Sequence, residues 1–295
     1  MAELIKTGPI ARQSRVTGER PLFFPSAGRP LYGAFHPPDC AVSKNGVLVI
    51  CHSIGTEHML TQRIEATLAR VAARAGFAAF RYNSRAHGDS AGEPRELTFA
   101  DLVEDACAAA QTARELSGAS RIIWLGLRLG CIVAGEAMCR REDAAGLALW
   151  EPIHRGGDYF RSLLRATFFA HVAKGRRPGG TVDGMLDQIK RDGELPVIGG
   201  FINRALYDST CGLDLLQSLQ NWHGPTLIAQ LQRKHKLSDD NEQLRSAICQ
   251  TKDGGNVSVV MIAQEPPWNM MPIVKPQWMS NELLKSTKDW LDGLE

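Results

Sequence analysis

The chain predicts an α/β fold, a mostly parallel central sheet with helices on both faces and a helical insertion late in the sequence. Three observations carry this. Apolar runs of strand length alternate with amphipathic stretches of helical length from Gly46 to Trp150 and again from Pro225 to the end. Gly46-Val47-Leu48-Val49-Ile50-Cys51 is apolar throughout, as a strand covered on both faces is. Between Ile153 and Asn221 the strand pattern stops and helical segments follow one another.

The elements follow in order. Residues 1–20 are polar and read as a loose arm. Arg20–Phe24 and Leu31–Phe35 flank the turn cluster Ser26-Ala27-Gly28-Arg29-Pro30, which predicts an antiparallel hairpin. After the Gly46–Cys51 strand, a helix runs from Glu57 to Ala75 and stops at Gly76, a residue suited to a C-terminal cap. Phe77–Tyr82 is the next strand, and Thr98-Phe99-Ala100-Asp101 opens a helix to Leu116 with the spacing of a capping box. Arg121–Leu125 is a strand, Cys131–Met138 a helix, Leu147–Trp150 a strand. Tyr159–Lys174, Val182–Arg191 and Phe201–Leu219 read as helices, punctuated by Gly179-Gly180, Gly193 and Gly199-Gly200. Strands resume at Pro225–Ala229 and Asn256–Met261, and an amphipathic helix spans Asn281–Leu294. The predicted organisation is therefore an arm (1–20), a core (21–152 and 222–295) and a lid (153–221) over the carboxyl ends of the strands, where such sheets bind ligands.

Composition narrows the function. A net charge of +2, from 34 basic and 32 acidic residues, argues for neither a nucleic-acid footprint nor an electrostatic membrane anchor. No apolar run has the length of a signal peptide or of a membrane helix, so a cytoplasmic protein is expected. Seven cysteines, with no Cys-x-x-Cys pair, read as reduced thiols. No metal-ligand spacing, phosphate-binding glycine loop or dinucleotide fingerprint occurs, so neither a metal nor a cofactor is expected.

Three local motifs carry a resemblance. His52-Ser53-Ile54-Gly55 follows a strand, as an oxyanion loop does. Arg81-Tyr82-Asn83-Ser84-Arg85-Ala86-His87-Gly88-Asp89-Ser90 is similar to an Arg-Gly-His-Gly-x-Ser loop. Gly126-Leu127-Arg128-Leu129-Gly130 lies between strand and helix, where Gly-x-Ser-x-Gly places a nucleophile. Together they resemble the α/β-hydrolase superfamily over residues 20–295. Trp150-Glu151-Pro152, the arginine at the elbow and Gly199-Gly200-Phe201 narrow the resemblance to the hydrolase-like proteins encoded with exosortase systems, the exosortase A system-associated hydrolase 2 group. That resemblance implies a bacterial cytoplasmic protein linked to envelope polysaccharide or protein sorting.

The same motifs withhold the chemistry. Arginine is no acyl-transfer nucleophile. No histidine follows His235, although a catalytic one belongs near Gln264–Asn269, a place Trp268 and Asn269 would fill. In the acid loop Gln232–Asp240, Asp239 and Asp240 serve equally as helix caps. Ser53, Cys131 and Asp240 are the candidates for a relocated reaction, with Cys51 weighed as a core thiol and His52, His58 and His87 near the pocket mouth.

Arg128 itself leaves two readings open. Beside the amides of Ile54 and Gly55 and the start of a helix, its planar fork suits a carboxylate or phosphate, with Leu127, Leu129, His52, Ser53 and Ile54 around it. Alternatively Glu151, at the end of the neighbouring strand, holds it in an internal salt bridge. Arg85 and Asp89 are expected to pair with each other or with backbone. The expected function is thus a non-catalytic binder of a small anionic or acyl molecule, of a second copy of the chain or of another protein. An ester or thioester hydrolase or acyltransferase working through an unorthodox nucleophile or water is the alternative, and a scaffold with a vestigial pocket is a third.

Overall fold

A computed structural model describes residues 18–40, 42–173, 175, 180–197, 200–232, 236–249, 256–269 and 278–294. Strands β1 (Arg20–Ser26) and β2 (Arg29–His36) form the expected antiparallel hairpin. Then come β3 (Gly46–Cys51), α1 (Gly55–Arg74), β4 (Ala78–Tyr82), α2 (Phe99–Ser117), β5 (Arg121–Leu127), α3 (Leu129–Met138) and β6 (Ala144–Trp150). The insertion holds α4 (Gly156–Ala173), α5 (Val182–Asp192), β7 (Glu194–Val197), β8 (Gly200–Asn203), α6 (Arg204–Cys211) and α7 (Leu215–Ser218). The chain closes with β9 (Thr226–Leu231), α8 (Asp239–Cys249), β10 (Val257–Ile262), a 3-10 turn at Pro267–Asn269 and α9 (Asn281–Asp292).

Eight strands form one sheet in the order β1-β2-β4-β3-β5-β6-β9-β10. The pairs from β4 to β10 are parallel, while β2 meets both β1 and β4 antiparallel. From β3 the chain moves outward to β4, then returns to place β5 on the other side of β3. The carboxyl ends of β3 and β5 thus adjoin where the strand order reverses, the place where a crevice opens in such sheets. Two-residue alternation divides β3 between two cores. Val47, Val49 and Cys51 join Trp124 on the α2–α3 face, and Leu48 and Ile50 join Trp150 beneath α1 and α9.

Capping follows the sequence where the polar residues are local. Thr98 and Asp101 make the full capping box that opens α2. The insertion departs from expectation, since it is not wholly helical. Glu194–Val197 and Gly200–Asn203 pair as a hairpin, so Phe201 and Ile202 lie in a strand, suiting their aromatic and β-branched side chains. The helix starts at Arg204, once the Asn203 side chain accepts the Leu206 amide at 2.7 Å. Residues 1–17 of the expected arm, Lys174, Gly179, Gly199 and His235 lie outside the described residues. Glu19, assigned to that arm, instead bonds Arg70 at 2.9 Å and Arg81. Among the described residues no helix is long and apolar enough to cross a membrane.

Candidate functional site

The turn between β5 and α3 is fixed by its glycines. A Cβ on Gly126 would lie 2.4 Å from Cα of Cys131, and one on Gly130 would lie 2.1 Å from the Cys51 carbonyl oxygen. Neither position admits a side chain, because the helix starts against the strand end with no intervening loop. Between them Arg128 takes φ 55° and ψ −118°, a strained conformation costing on the order of 1–3 kcal/mol for a residue with a Cβ. Its amide donates to the Trp150 carbonyl at 3.0 Å. The strain holds the side chain of residue 128 at the carboxyl end of the sheet.

There the guanidinium is enclosed by the protein's own groups. Nε and Nη2 of Arg128 donate to Oε1 of Glu57 at 3.2 and 3.1 Å, and Nη2 donates to Ser162 Oγ at 3.3 Å. The Trp268 ring centroid lies 4.7 Å from the guanidinium carbon, a cation–π distance. Glu57, in the first turn of α1, accepts a second bond at Oε2 from Ser53 Oγ, 2.6 Å away. Tyr159, from α4, places its hydroxyl 3.3 Å from Ser53 Oγ. Arg128 is 8% exposed, Glu57 3% and Ser53 and Tyr159 not at all.

Electrostatics follow from this enclosure. Burial opposes the charge on Arg128, but the attraction of Glu57 and its hydrogen bonds more than offset that, and the guanidinium holds its proton more tightly than usual. Burial, followed by the Glu57 charge, pushes the Tyr159 phenol well above its ordinary range. His52 is fixed as a neutral imidazole. Its Nδ1 faces the Ser53 carbonyl and its Nε2 accepts the Ser84 amide at 3.0 Å. Burial first, then neighbouring His58 and His87, drives its pKa down.

Several expectations change. The carboxylate on Arg128 is Glu57, not Glu151. Glu151 turns sharply at φ 49° after β6, and its carboxylate instead accepts the Leu231 amide at the end of β9. Burial raises its pKa to about 7. Arg85 does not pair with Asp89; it bonds Asp101 at 2.6 Å, Glu104 at 2.7 Å and Asp105 at 2.7 Å. Asp239 and Asp240 do not cap α8, since the Ser238 hydroxyl accepts the Asn241 amide at 3.2 Å; both carboxylates are exposed in the first turn.

The remaining candidates separate by position. Cys131 is buried in the core, with its Sγ 3.2 Å from the Gly126 carbonyl, and burial raises its pKa well above the thiol range. Cys51 is likewise pushed up to about 12 by burial. Leu127 and Leu129 flank the elbow but their side chains enter the two cores. Asn269 is the last residue of the 3-10 turn, and its side chain lies outside the described residues. Sequence reasoning missed Glu57, Tyr159 and Ser162. The available signal for Glu57 was an acidic residue at the first turn of α1, four positions after Ser53.

Comparison with known proteins agrees with this architecture. Residues 43–247 match the family model for serine aminopeptidase, S33. No curated protein matches the chain. Among solved structures, the chain is similar to Est1E from Butyrivibrio proteoclasticus at 12% identity and TM-score 0.64, covering 93% of this chain and 98% of that one. It is similar to an esterase of Pyrococcus furiosus at 11% identity and TM-score 0.64, covering 98% and 95%. Proline iminopeptidase of Mycobacterium smegmatis gives 14% identity and TM-score 0.58, covering 93% and 98%. At such identities the likeness to solved structures concerns the fold. With the model match spanning more than half its length, the chain belongs to the serine aminopeptidase S33 family of the α/β-hydrolase superfamily.

Proposed function

We propose that this chain is a hydrolase-fold protein that binds a small anionic or acyl-bearing molecule and does not cleave it. The observation that carries the reading is the closed cluster at the elbow. Acyl transfer needs a nucleophile, a base to deprotonate it and donors for the oxyanion. Arg128 stands in the first place and Trp268 faces it from the segment where a histidine belongs. Tyr159 fills the space over the oxyanion loop, its hydroxyl 3.3 Å from Ser53 Oγ. Each catalytic place is thus held by a group that cannot perform the step.

Binding remains chemically reasonable at the same place. A carboxylate or phosphate exchanging for Glu57 would meet the Arg128 fork beside the N-terminal amides of α3. The lid reading of residues 153–221 fits here, since Tyr159 and Ser162 of α4 close the cluster from above. The resemblance carried by Trp150-Glu151-Pro152 supports reading it as a bacterial cytoplasmic protein linked to envelope polysaccharide or protein sorting.

A second reading has one observation in its favour. Ser53 Oγ donates to Glu57 at 2.6 Å, a hydroxyl already bonded to a carboxylate base. Its complete burial beneath Tyr159 weighs against attack on a substrate. Treating the purified protein with short- and long-chain esters and thioesters, and with a fluorophosphonate probe, separates the two. The binding reading expects neither turnover nor labelling, and thermal stabilisation by carboxylates or phosphorylated sugars that Arg128→Ser removes. Turnover that follows the protein through purification and disappears in Ser53→Ala would establish the second reading instead.

A further inference from the structure

The loop after β4 is the motif that the elbow does not use. It borders a separate cavity of 220 Å³ whose walls include His58, Gln62 and Glu65 of α1, Arg81 of β4, and Asn83 and Asp89 of the loop. None of these belongs to the Arg128 cluster. We infer that this cavity is a binding site for a small neutral molecule bearing several hydroxyl groups, of the size of a single sugar ring.

Three features argue for a built site. The first is an unanswered polar group: His58 is 5% exposed, lines the cavity, meets Gln62 Nε2 through its Nε2 at 3.3 Å, and among the described residues has no hydrogen-bond partner on Nδ1. A buried nitrogen left in that state costs on the order of 1–3 kcal/mol, which a ligand hydroxyl would relieve. The second is rigidity. Asn83 is held by its amide on the Tyr32 carbonyl at 2.9 Å and by its carbonyl, which accepts from Ser90 Oγ at 2.6 Å. Its side chain rests where a Cβ on Gly88 would come within 2.2 Å of Nδ2, so the glycine at 88 makes room for it. The third is volume, equal to roughly seven waters at about 30 Å³ each.

The charge pattern selects the class of ligand. Arg81 is already spent, its guanidinium bonded to Glu19 and to His36 Nε2. Burial, then the neighbouring His87, lowers the His58 pKa to about 3, so the ring is uncharged, and with Nε2 3.3 Å from Gln62 Nε2 only Nδ1 is left to pair. Burial raises Glu65 to about 7, and its Oε1 accepts from Thr61 at 2.7 Å. Gln62 and Asn83 add amide donors and acceptors, and Asp89 a carboxylate at an exposed position. Mixed donors and acceptors with no unpaired cation suit hydroxyls and disfavour a phosphate or carboxylate. Among the described residues no group of metal-ligating side chains forms a cation site.

Saturation-transfer NMR and calorimetry on the full chain, with glucose, mannose, N-acetylglucosamine, myo-inositol and glycerol, test this. The expected result is a Kd of about 1 mM or tighter for at least one of the cyclic compounds. Gln62→Ala and Asp89→Ala should each weaken it by about tenfold, and acetate and inorganic phosphate should not compete. Asp89 is exposed, so its variant keeps the test valid should Gln62→Ala unfold. Saturation by none of the five, unchanged affinity in a folded variant, or displacement by phosphate would each overturn the assignment.

Discussion

Two buried guanidiniums, 7% and 8% exposed, are treated in opposite ways by this fold. Arg85 meets three carboxylates, Asp101, Glu104 and Asp105, and its own backbone amide donates to Asp105 at 2.7 Å. Arg128 meets one carboxylate, one hydroxyl and the face of a tryptophan. The first arrangement ties the loop after β4 to α2 and β1, the latter through the Ser26 hydroxyl, which donates to Asp105 at 2.7 Å. It is a fastening with surplus negative charge. The second has one carboxylate in contact, Glu57, while the backbone of Arg128 itself is strained, at the switch point of the sheet. A group balanced by one removable partner is a place where a ligand can intervene, and a group balanced by three is not.

The largest effect should come from the fastening. Asp105→Ala removes the fully buried partner and leaves the Arg85 backbone amide and the Ser26 hydroxyl without an acceptor, for a loss of about 3–5 kcal/mol in urea unfolding. A loss below about 1 kcal/mol would mean that Asp101 and Glu104 suffice, and the contrast would collapse. Glu57→Ala at the elbow should cost less, about 3 kcal/mol, because Ser162 and Trp268 remain. Acetate or phosphate should restore part of that stability in Glu57→Ala and none in Asp105→Ala. Equal response of the two variants to anions would remove the argument for a ligand at Arg128.

The legible and illegible parts of the sequence divide along the same line. The capping box of α2, the opening hairpin and the elbow glycines were readable because their partners lie within a few residues. Arg85, expected to pair with Asp89 four residues away or with backbone, instead has partners 16 to 20 positions along on α2, which no local pattern signals. Glu57 is 71 positions from Arg128 and reaches it because β3 and β5 are neighbours, a fact of topology rather than of local pattern. The hairpin Glu194–Asn203 was hidden by its shortness, four residues per strand, in a stretch otherwise helical. Glu151 was the natural guess by proximity to β5, and it failed because its left-handed turn aims the carboxylate at β9.

Glu151 sharpens the elbow's energetics through pH. Its folded pKa is about 7 against an ordinary value of 4.5, because burial disfavours the carboxylate. Between those values the unfolded chain releases the proton while the folded one keeps it. Stability is therefore fully present below about 4.5 and is lost as pH rises through about 7. The loss across that window should be about 3 kcal/mol, read as a fall in the unfolding midpoint. Glu151→Gln should flatten that part of the profile, as its amide oxygen still accepts the Leu231 amide. A profile identical to wild type would show that Glu151 does not carry the slope.

Trp268 should give the smallest effect and the most direct view of how Arg128 is held. Its ring is half of what Arg128 has beyond Glu57 and packs 6.4 Å from Trp278. Trp268→Phe keeps a π face, and Trp268→Leu keeps bulk without one, so their difference isolates the cation–π contribution from lost burial. That difference should be about 1 kcal/mol in the wild-type background. In a Glu57→Gln background the guanidinium lacks its carboxylate, and the same comparison should rise to about 2 kcal/mol, a coupling that only contacting groups show. Arg85 offers a control, since its guanidinium is held by Asp101, Glu104 and Asp105 and Glu104→Gln there should leave the Trp268 difference unchanged. Coupling of Trp268 to Glu104 as strong as to Glu57 would mean that the two arginines respond as one network, and the distinction between a fastened and an addressable guanidinium would have to be given up.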